Sequence, residues 1–348
     1  MNTTAPENNR LKWMTFLLIA VAGLFYVKWS PYYHKAFLAA SNHAIGNSIL
    51  MGKDAAPPAP SLDAALGYAM AYGKAIWQAM VLGLLLGSGV QALIAPQWIA
   101  RVFGKSGFGS VAAGGLLAIP AMMCTCCAAP VVAGLRARRA SPGAALAFWL
   151  GNTVLNPATL IFMGFVLGWN WTILRLVIGL VMVFGLGYLA NRFVTDEEAV
   201  AAQSNLQQTA SQDGNAFRRW LKLLGQMTVR LVPEYIILVL LLGAARALLF
   251  PHIGPEIDNS LLWIILFALA GTLFVIPTAG EVPIIQAMLA LGIGVGPAAA
   301  LLMTLPPISL PSMAMLYRSF KPRLLVILTA AVIGFGILAG LIAVGLGM

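Results

Sequence analysis

The chain has 348 residues, of which 60% are hydrophobic and only 9% charged, and its formal net charge is +10. Ordinary soluble domains carry about 25% charged residues, so the composition excludes a soluble globular protein. Apolar runs of about 20 residues, long enough to cross a bilayer, recur from Leu11 to the carboxyl terminus. The lysines and arginines form short clusters between these runs, which indicates membrane topology rather than nucleic-acid binding.

We interpret the first apolar run, residues 11–30, as a retained membrane span. It follows Arg10 and Lys12, but no small-residue cleavage site closes it, which disfavours a cleaved signal peptide. With the external link that follows, it forms a first unit at residues 1–65. Six more runs are predicted to be full spans: 66–95, 142–167, 171–192, 228–250, 296–317 and 323–346.

Two segments, 107–135 and 260–293, are too long for one crossing and too short for two. Proline removes an amide donor and clashes with the preceding turn, so a helix should unwind at the prolines of each segment. Irregular backbone at membrane depth is tolerated only where protein or a water-filled cavity satisfies it. We therefore predict two re-entrant hairpins of half-helices. Their predicted helix breaks are at Pro120 and Pro130 in the first hairpin and at Pro277 and Pro283 in the second.

The distribution of basic residues supports the hairpin interpretation. With the amino terminus in the cytoplasm, the main basic clusters all fall inside only if both hairpins return to the side from which they enter. These clusters are Arg101 with Lys105, residues 136–139, the loop at 192–230 and residues 318–323. Four residues fit this orientation poorly, namely Lys28, Lys35, Lys53 and Arg246.

The predicted elements repeat once. Residues 66–192 and 228–348 each read as span, hairpin, span, span, in opposite orientations, and a polar linker at 193–227 joins them on the cytoplasmic side. The sequence thus predicts an all-α polytopic membrane protein of about seven full spans and two re-entrant hairpins, arranged as an inverted repeat. Secondary transporters with this plan bind substrate near the bilayer midplane, where the broken helices meet.

All three cysteines of the chain, Cys124, Cys126 and Cys127, lie at the first break. Thiolates are ligands for thiophilic species such as Cu(I) or trivalent arsenic, so the cluster predicts a substrate site. The alternative is that cysteine serves here as a small packing residue. A structural zinc site is disfavoured because no nearby histidine or second cysteine pair completes four ligands. We therefore predict no resident metal and no cofactor.

Three polar residues of the predicted spans and breaks are further candidates. Glu281, in the second break, is a candidate for proton coupling, because an ionisable group at membrane depth is costly unless it is paired or protonated and therefore points to a function. The alternatives are pairing with a basic residue or capping of a half-helix. Asn152 and Asn156 lie one turn apart and are candidate substrate contacts, the alternative being interhelical hydrogen bonding. Without an ATP-binding motif, an ion gradient is the expected energy source.

The cysteine region also resembles a known family. The stretch Met123-Cys124-Thr125-Cys126-Cys127-Ala128-Ala129-Pro130, then Gly134-Leu135, Ser141-Pro142-Gly143-Ala144 and Asn156-Pro157, is similar to the ArsP-type permeases. These are bacterial inner-membrane proteins, and their studied members export trivalent organoarsenicals. The resemblance spans roughly 66–346. It implies a permease with Cys124 and Cys126 as substrate contacts. The family pattern is closer to Thr-Pro-Phe-Cys-Ser-Cys-Ser. In this sequence Ala121, Met122 and Met123 stand at the Thr-Pro-Phe positions, and Cys127 stands at the position of the second serine.

These observations favour a multi-pass inner-membrane permease that exports a small thiophilic compound, with a trivalent organoarsenical as the leading candidate. One alternative is a transporter of Cu(I) or another small metabolite. Another is a membrane metal or redox sensor that transports nothing. We expect the bilayer and a small substrate as partners, no nucleic acid and no enzymatic activity, and the sequence leaves the oligomeric state open.

Overall fold

The structure is a computed structural model, and it describes residues 6–46, 61–193, 216–249 and 254–348. Every regular element among these residues is a helix, so the prediction of an all-α fold is confirmed. The predicted external link, with Lys53, and most of the predicted linker at 193–227 lie outside the described residues.

The residues that the structure describes form sixteen α-helices, numbered in chain order. They are α1 (Pro6–Leu24), α2 (Ser30–Asn42), α3 (Leu62–Leu93), α4 (Pro96–Phe103), α5 (Phe108–Ala121), α6 (Thr125–Ala137), α7 (Pro142–Val154), α8 (Pro157–Val166), α9 (Trp169–Leu180), α10 (Leu186–Phe193), α11 (Ala216–Leu249), α12 (Leu261–Leu273), α13 (Glu281–Ala290), α14 (Val295–Thr304), α15 (Leu310–Leu316) and α16 (Pro322–Gly345). Short π-helical stretches join α1 to α2 (Phe25–Trp29) and α9 to α10 (Val181–Gly185).

Six stretches of the described chain are helical, long and apolar enough to cross a membrane, and each matches a predicted span. They are Lys12–Asn42, Leu62–Leu93, Pro142–Val166, Trp169–Phe193, Ala216–Ala244 and Pro322–Gly345. The seventh predicted span, 296–317, is instead the two short helices α14 and α15. Pro306 and Pro307 lie between them and provide no amide hydrogens to continue the helix.

The first hairpin consists of α5 and α6, which are separated only by residues 122–124. Met122 adopts a left-handed conformation, with φ of 49°, where the chain reverses. The two ends of the hairpin meet, because the Ser141 amide donates to the Phe103 carbonyl at 2.7 Å. The hairpin therefore enters and leaves on one face of the helix bundle.

The second hairpin consists of α12 and α13, with residues 274–280 between them. Its turn also contains a left-handed residue, Ala279, with φ of 65°. Its ends are joined in the same way, since the Gly294 amide donates to the Ile257 carbonyl at 2.8 Å. Both predicted hairpins are thus re-entrant.

Only one proline in each hairpin marks the break as predicted. Pro277 lies in the second break, and Pro120 lies in the last turn of α5, just before the first break. The predictions for Pro130 and Pro283 are wrong. Pro130 is inside α6, and Pro283 is the third residue of α13, where the missing amide would have no helical acceptor.

The two hairpins open toward opposite ends of the bundle. At the first mouth, the Gly143 amide donates to Asn191 Oδ1 at 2.7 Å, and Arg136 Nε donates to the Ser319 carbonyl at 3.2 Å. The second mouth lies against the other end of α16, where Gly296 packs on Val344. This is the arrangement of an inverted repeat. We name the first end the basic face, because it carries Arg136, Arg138, Arg219 and Arg318.

The repeat places its most central helices between the hairpins and the remaining spans. Every residue of α7 is buried, as is every residue of α14 from Gly296 to Thr304. Large apolar side chains point outward on the peripheral helices, for example Leu18 on α1, Ile173 on α9 and Val326 on α16. This distribution suits a protein whose surroundings are lipid.

The topology gives a direct test by cysteine labelling. In intact cells or oriented vesicles, Lys105→Cys and Arg138→Cys should react with a membrane-impermeant maleimide from the same side, because both flank the first hairpin. The three native cysteines are buried and should give little background. Asn170→Cys, at an exposed position at the other end of the bundle, should react from the opposite side. Labelling of positions 105 and 138 from opposite sides would contradict the re-entrant hairpin.

Candidate functional site

The interrupted helices of both repeats converge on one small void. It is lined by Cys124 at the first break, Thr278 at the second, Thr159 in the first turn of α8 and Pro306 between α14 and α15. Glu281, the first residue of α13, also lines it. The void measures about 10 Å³, which is room for about one water molecule. The two breaks therefore meet in the interior of the protein, as predicted.

The three cysteines form a compact cluster of reduced thiols at the tip of the first hairpin. The Cys124 sulfur lies 3.0 Å from that of Cys126 and 2.8 Å from that of Cys127, and the third pair is 3.7 Å apart. All three side chains are at most 2% exposed. Cys124 precedes α6, and the other two lie in its first turn, so the start of the helix gathers the sulfurs. Three sulfurs this close together can coordinate one soft metal or metalloid atom.

A cavity of about 220 Å³ reaches the thiol cluster. Of the three cysteines, Cys124 is among its lining residues. The cavity extends along α2 to the exposed Lys35. Beyond Lys35, His43 at the end of α2 contacts the Phe165 carbonyl at 2.7 Å, near the α8–α9 turn. In this conformation the thiols are therefore approached from the side opposite the basic face.

Lys28 is a functional candidate that was missed in the sequence. Its side chain is 3% exposed and lines the cavity with Cys124. Its ammonium group donates to Thr278 Oγ1 at 3.0 Å and lies 3.4 Å from the Tyr32 hydroxyl. In the sequence, the one sign of its role was that Lys28 fits the predicted membrane orientation poorly. The structure explains this poor fit, because the side chain points into the protein. The π-helical stretch that carries Lys28 is a feature that often marks functional sites.

Glu281 has a basic partner in this conformation. Its Oε1 lies 2.7 Å from Arg175 Nη1, and both side chains are at most 2% exposed. Arg175 also donates to the carbonyls of Thr153 and Val154 at the end of α7. The pair thus places a cation at a helix carboxyl end and an anion at a helix amino end, which favours both charges. Glu281 is therefore paired with a basic residue, which was one of the alternatives to proton coupling. Proton coupling by Glu281 stays a prediction.

Asn152 and Asn156 hold the backbone in place rather than line the cavity. Asn152 Oδ1 accepts from the Met123 amide at 3.2 Å, and its Nδ2 donates to the Phe148 carbonyl at 2.8 Å. Asn156 caps α8 by accepting from the amides of Ala158 and Thr159. The structure thus favours the alternative of interhelical hydrogen bonding for Asn152 and helix capping for Asn156. Their contribution to the site is indirect, since Asn152 fixes the tip that carries the thiols.

Comparison with known proteins identifies the family. The sequence pattern of the ArsP-type family, described as predicted permeases, matches residues 64–344. The UPF0718 protein YraQ of Escherichia coli (strain K12) is 50% identical over 93% of this chain and 92% of its own length. A UPF0718 protein of Methanocaldococcus jannaschii is 24% identical over 76% of this chain and 90% of its own length. No solved structure matches. The chain therefore belongs to the ArsP-type family of predicted membrane permeases.

Proposed function

We propose that this permease exports a small thiophilic compound across the bacterial inner membrane, with a trivalent organoarsenical as the leading candidate. The observation that carries the proposal is the cluster of three reduced thiols within 3.7 Å, with Cys124 on the wall of a cavity of about 220 Å³. A transporter rather than an enzyme is supported by the family match. The amino terminus and the basic face are then cytoplasmic, following the positive-inside rule.

The thiol cluster suits reversible binding of trivalent arsenic. A hydrated organoarsenical carries two hydroxyl groups on arsenic, and each can be exchanged for a cysteine sulfur. In each exchange an As–O bond breaks and an As–S bond forms, while the hydroxyl and the thiol proton leave as water. No oxidant or reductant is needed. Two thiols complete the exchange, so the third is free to take the place of one of them as the compound moves through.

A second cavity supports movement between two faces. It has about 600 Å³, lies on the basic face and is lined by Gln91, Arg230, Glu234 and Arg318 among others. Between it and the thiols, α3 packs closely against α6, where Gly87 meets the Pro130 carbonyl. We propose that the hairpins rock so that each cavity reaches the thiols in turn. Coupling to protons through Glu281 requires the pair with Arg175 to open in another conformation.

The test is accumulation of methylarsenite, arsenite and Cu(I) in a sensitive bacterial host. Cells that express the wild type should retain at least about tenfold less methylarsenite than cells that express Cys124→Ser/Cys126→Ser, because losing both sulfurs removes the arsenic ligands. Membrane levels of both proteins are matched with a fluorescent fusion. Reduced accumulation that persists in the double variant would leave export standing and exclude the thiol site. No change for any species would contradict the proposal.

Cu(I) is the second candidate cargo. Among the described residues, the three sulfurs are grouped with no histidine or carboxylate ligand, which suits a soft monovalent ion better than zinc. The same accumulation experiment distinguishes the two, because reduced Cu(I) without reduced methylarsenite assigns the site to the metal. Copper that stays bound to the purified protein and is not moved by reconstituted vesicles would favour a sensor instead.

A further inference from the structure

Lys28 places a positively charged side chain on the wall of the cavity. The ammonium group is buried, and its hydrogen-bond contacts are with the hydroxyls of Thr278 and Tyr32. Among the residues that the structure describes, no carboxylate lies within ion-pair distance of Lys28. A buried charge without a partner costs several kcal/mol, so such a group at membrane depth points to a function.

The other buried cations of the described chain are satisfied by the protein itself. Arg175 has a carboxylate and two helix-end carbonyls. Arg136 donates to the carbonyls of Ser319 and Ala140 and stacks on Phe320. Lys28 differs in two respects: its contacts are uncharged hydroxyls, and it faces open space. Lys28 also lies in the π-helical stretch between α1 and α2, outside both repeats. The amino-terminal segment thus adds a charge to a site that the two repeats form.

We propose that the ligand supplies the missing anion. The transported compound combines a thiophilic atom, bound at Cys124, with an anionic group such as a carboxylate or an oxyanion, bound by Lys28 and Thr278. This inference rests on the proposed function, since it extends the same site. The two ends of the site lie on one cavity wall, because Lys28, Thr278 and Cys124 all line the same cavity of about 220 Å³. A compound bound in this cavity can therefore contact both ends of the site.

A competing explanation is that Lys28 only stabilises a thiolate at Cys124 or ties the amino-terminal helix to Thr278. The two explanations differ in which ligands depend on Lys28. A thiolate partner or a structural tie would influence every thiophilic ligand to the same extent. A partner for the ligand's anion would influence only ligands that carry one.

The experiment compares two probes with the same arsenic chemistry, phenylarsenite and 4-carboxyphenylarsenite. Binding to the purified protein in detergent is measured by titration with each probe. We expect the wild type to bind the carboxylated probe at least about tenfold more tightly, because it alone pairs with the buried ammonium. Lys28→Met should remove this preference while changing phenylarsenite binding by less than about threefold. Lys28→Arg should keep it, since the charge remains.

Lys74→Met is the matched control, because Lys74 is an exposed lysine on the adjacent α3 and should not influence either probe. Thermal unfolding of each variant checks that it is folded. Equal binding of both probes to the wild type, or equal weakening of both in Lys28→Met, would overturn the inference and leave the proposed function standing. If neither probe binds to the wild type, the proposed function fails and this inference fails with it.

Discussion

Arg175→Met should lower the free energy of unfolding by about 3–5 kcal/mol, because it leaves the Glu281 carboxylate buried without its partner. The carboxylate is 2% exposed, and the arginine is the cation that contacts it in the described chain. The same substitution removes two hydrogen bonds to the end of α7, from Nε and Nη2 of Arg175. The measurement is thermal and denaturant-induced unfolding of the purified protein in detergent.

Two further variants separate the charge from the hydrogen bonds. In the double variant Arg175→Met/Glu281→Gln, no unpaired charge remains, so stability should recover by at least about 1–2 kcal/mol relative to Arg175→Met alone. Arg192→Met, an exposed position at the end of the same span, is the control and should stay within about 0.5 kcal/mol of the wild type. If Arg175→Met is as stable as that control, the ion pair does not hold these helices together.

The single variant Glu281→Gln tests proton coupling. Glu281→Gln should abolish the pH dependence of transport if Glu281 carries the coupled proton. Transport with an unchanged pH profile in Glu281→Gln would assign Glu281 a purely structural role beside Arg175.

Gly83→Ala should destabilise the protein by about 3 kcal/mol and disrupt the thiol cluster. A Cβ atom at this position would lie 2.1 Å from the carbonyl oxygen of Cys127, which is a backbone atom and cannot turn aside. A Cβ atom built at Gly87 or Gly134, along the same line between α3 and α6, would lie 2.3 or 2.4 Å from a backbone oxygen of the facing helix. The helices must therefore separate, and the tip with the cysteines shifts with α6. Unfolding and phenylarsenite binding of the purified protein measure the two effects.

Gly73→Ala is the matched control on the same helix. No heavy atom lies within 4 Å of a Cβ built there, so the substitution should stabilise α3 by up to about 1 kcal/mol through helix propensity. The same chemical change is thus expected to have opposite signs ten residues apart. Equal effects of the two substitutions would show that the close approach of α3 and α6 does not limit stability.

Much of the architecture was predictable because hydrophobicity and proline act locally. Long apolar runs fixed six spans to within a few residues, apart from the longer helices at 12–42 and 216–244. The basic clusters then distinguished hairpins from single crossings, since charge is kept on one side of a membrane. Proline was a less reliable marker of breaks. Pro283 is compatible with its helix because it lies in the first turn, where the amide has no helical acceptor, whereas Pro130 lies inside α6 without ending it.

The sequence by itself determined that this is a polytopic helical membrane protein with two re-entrant hairpins, and that its thiols lie at one hairpin tip. Only the tertiary structure decided which polar groups meet there. Arg175 and Glu281 are 106 residues apart, and Lys28 and Thr278 are 250 apart, so no local pattern could pair them. The roles of the two asparagines likewise could not be assigned from sequence. An asparagine side chain in an apolar helix can form hydrogen bonds to a ligand or to the backbone equally well. Burial and distance settled these assignments, and they placed Lys28 on the wall of the cavity that reaches Cys124.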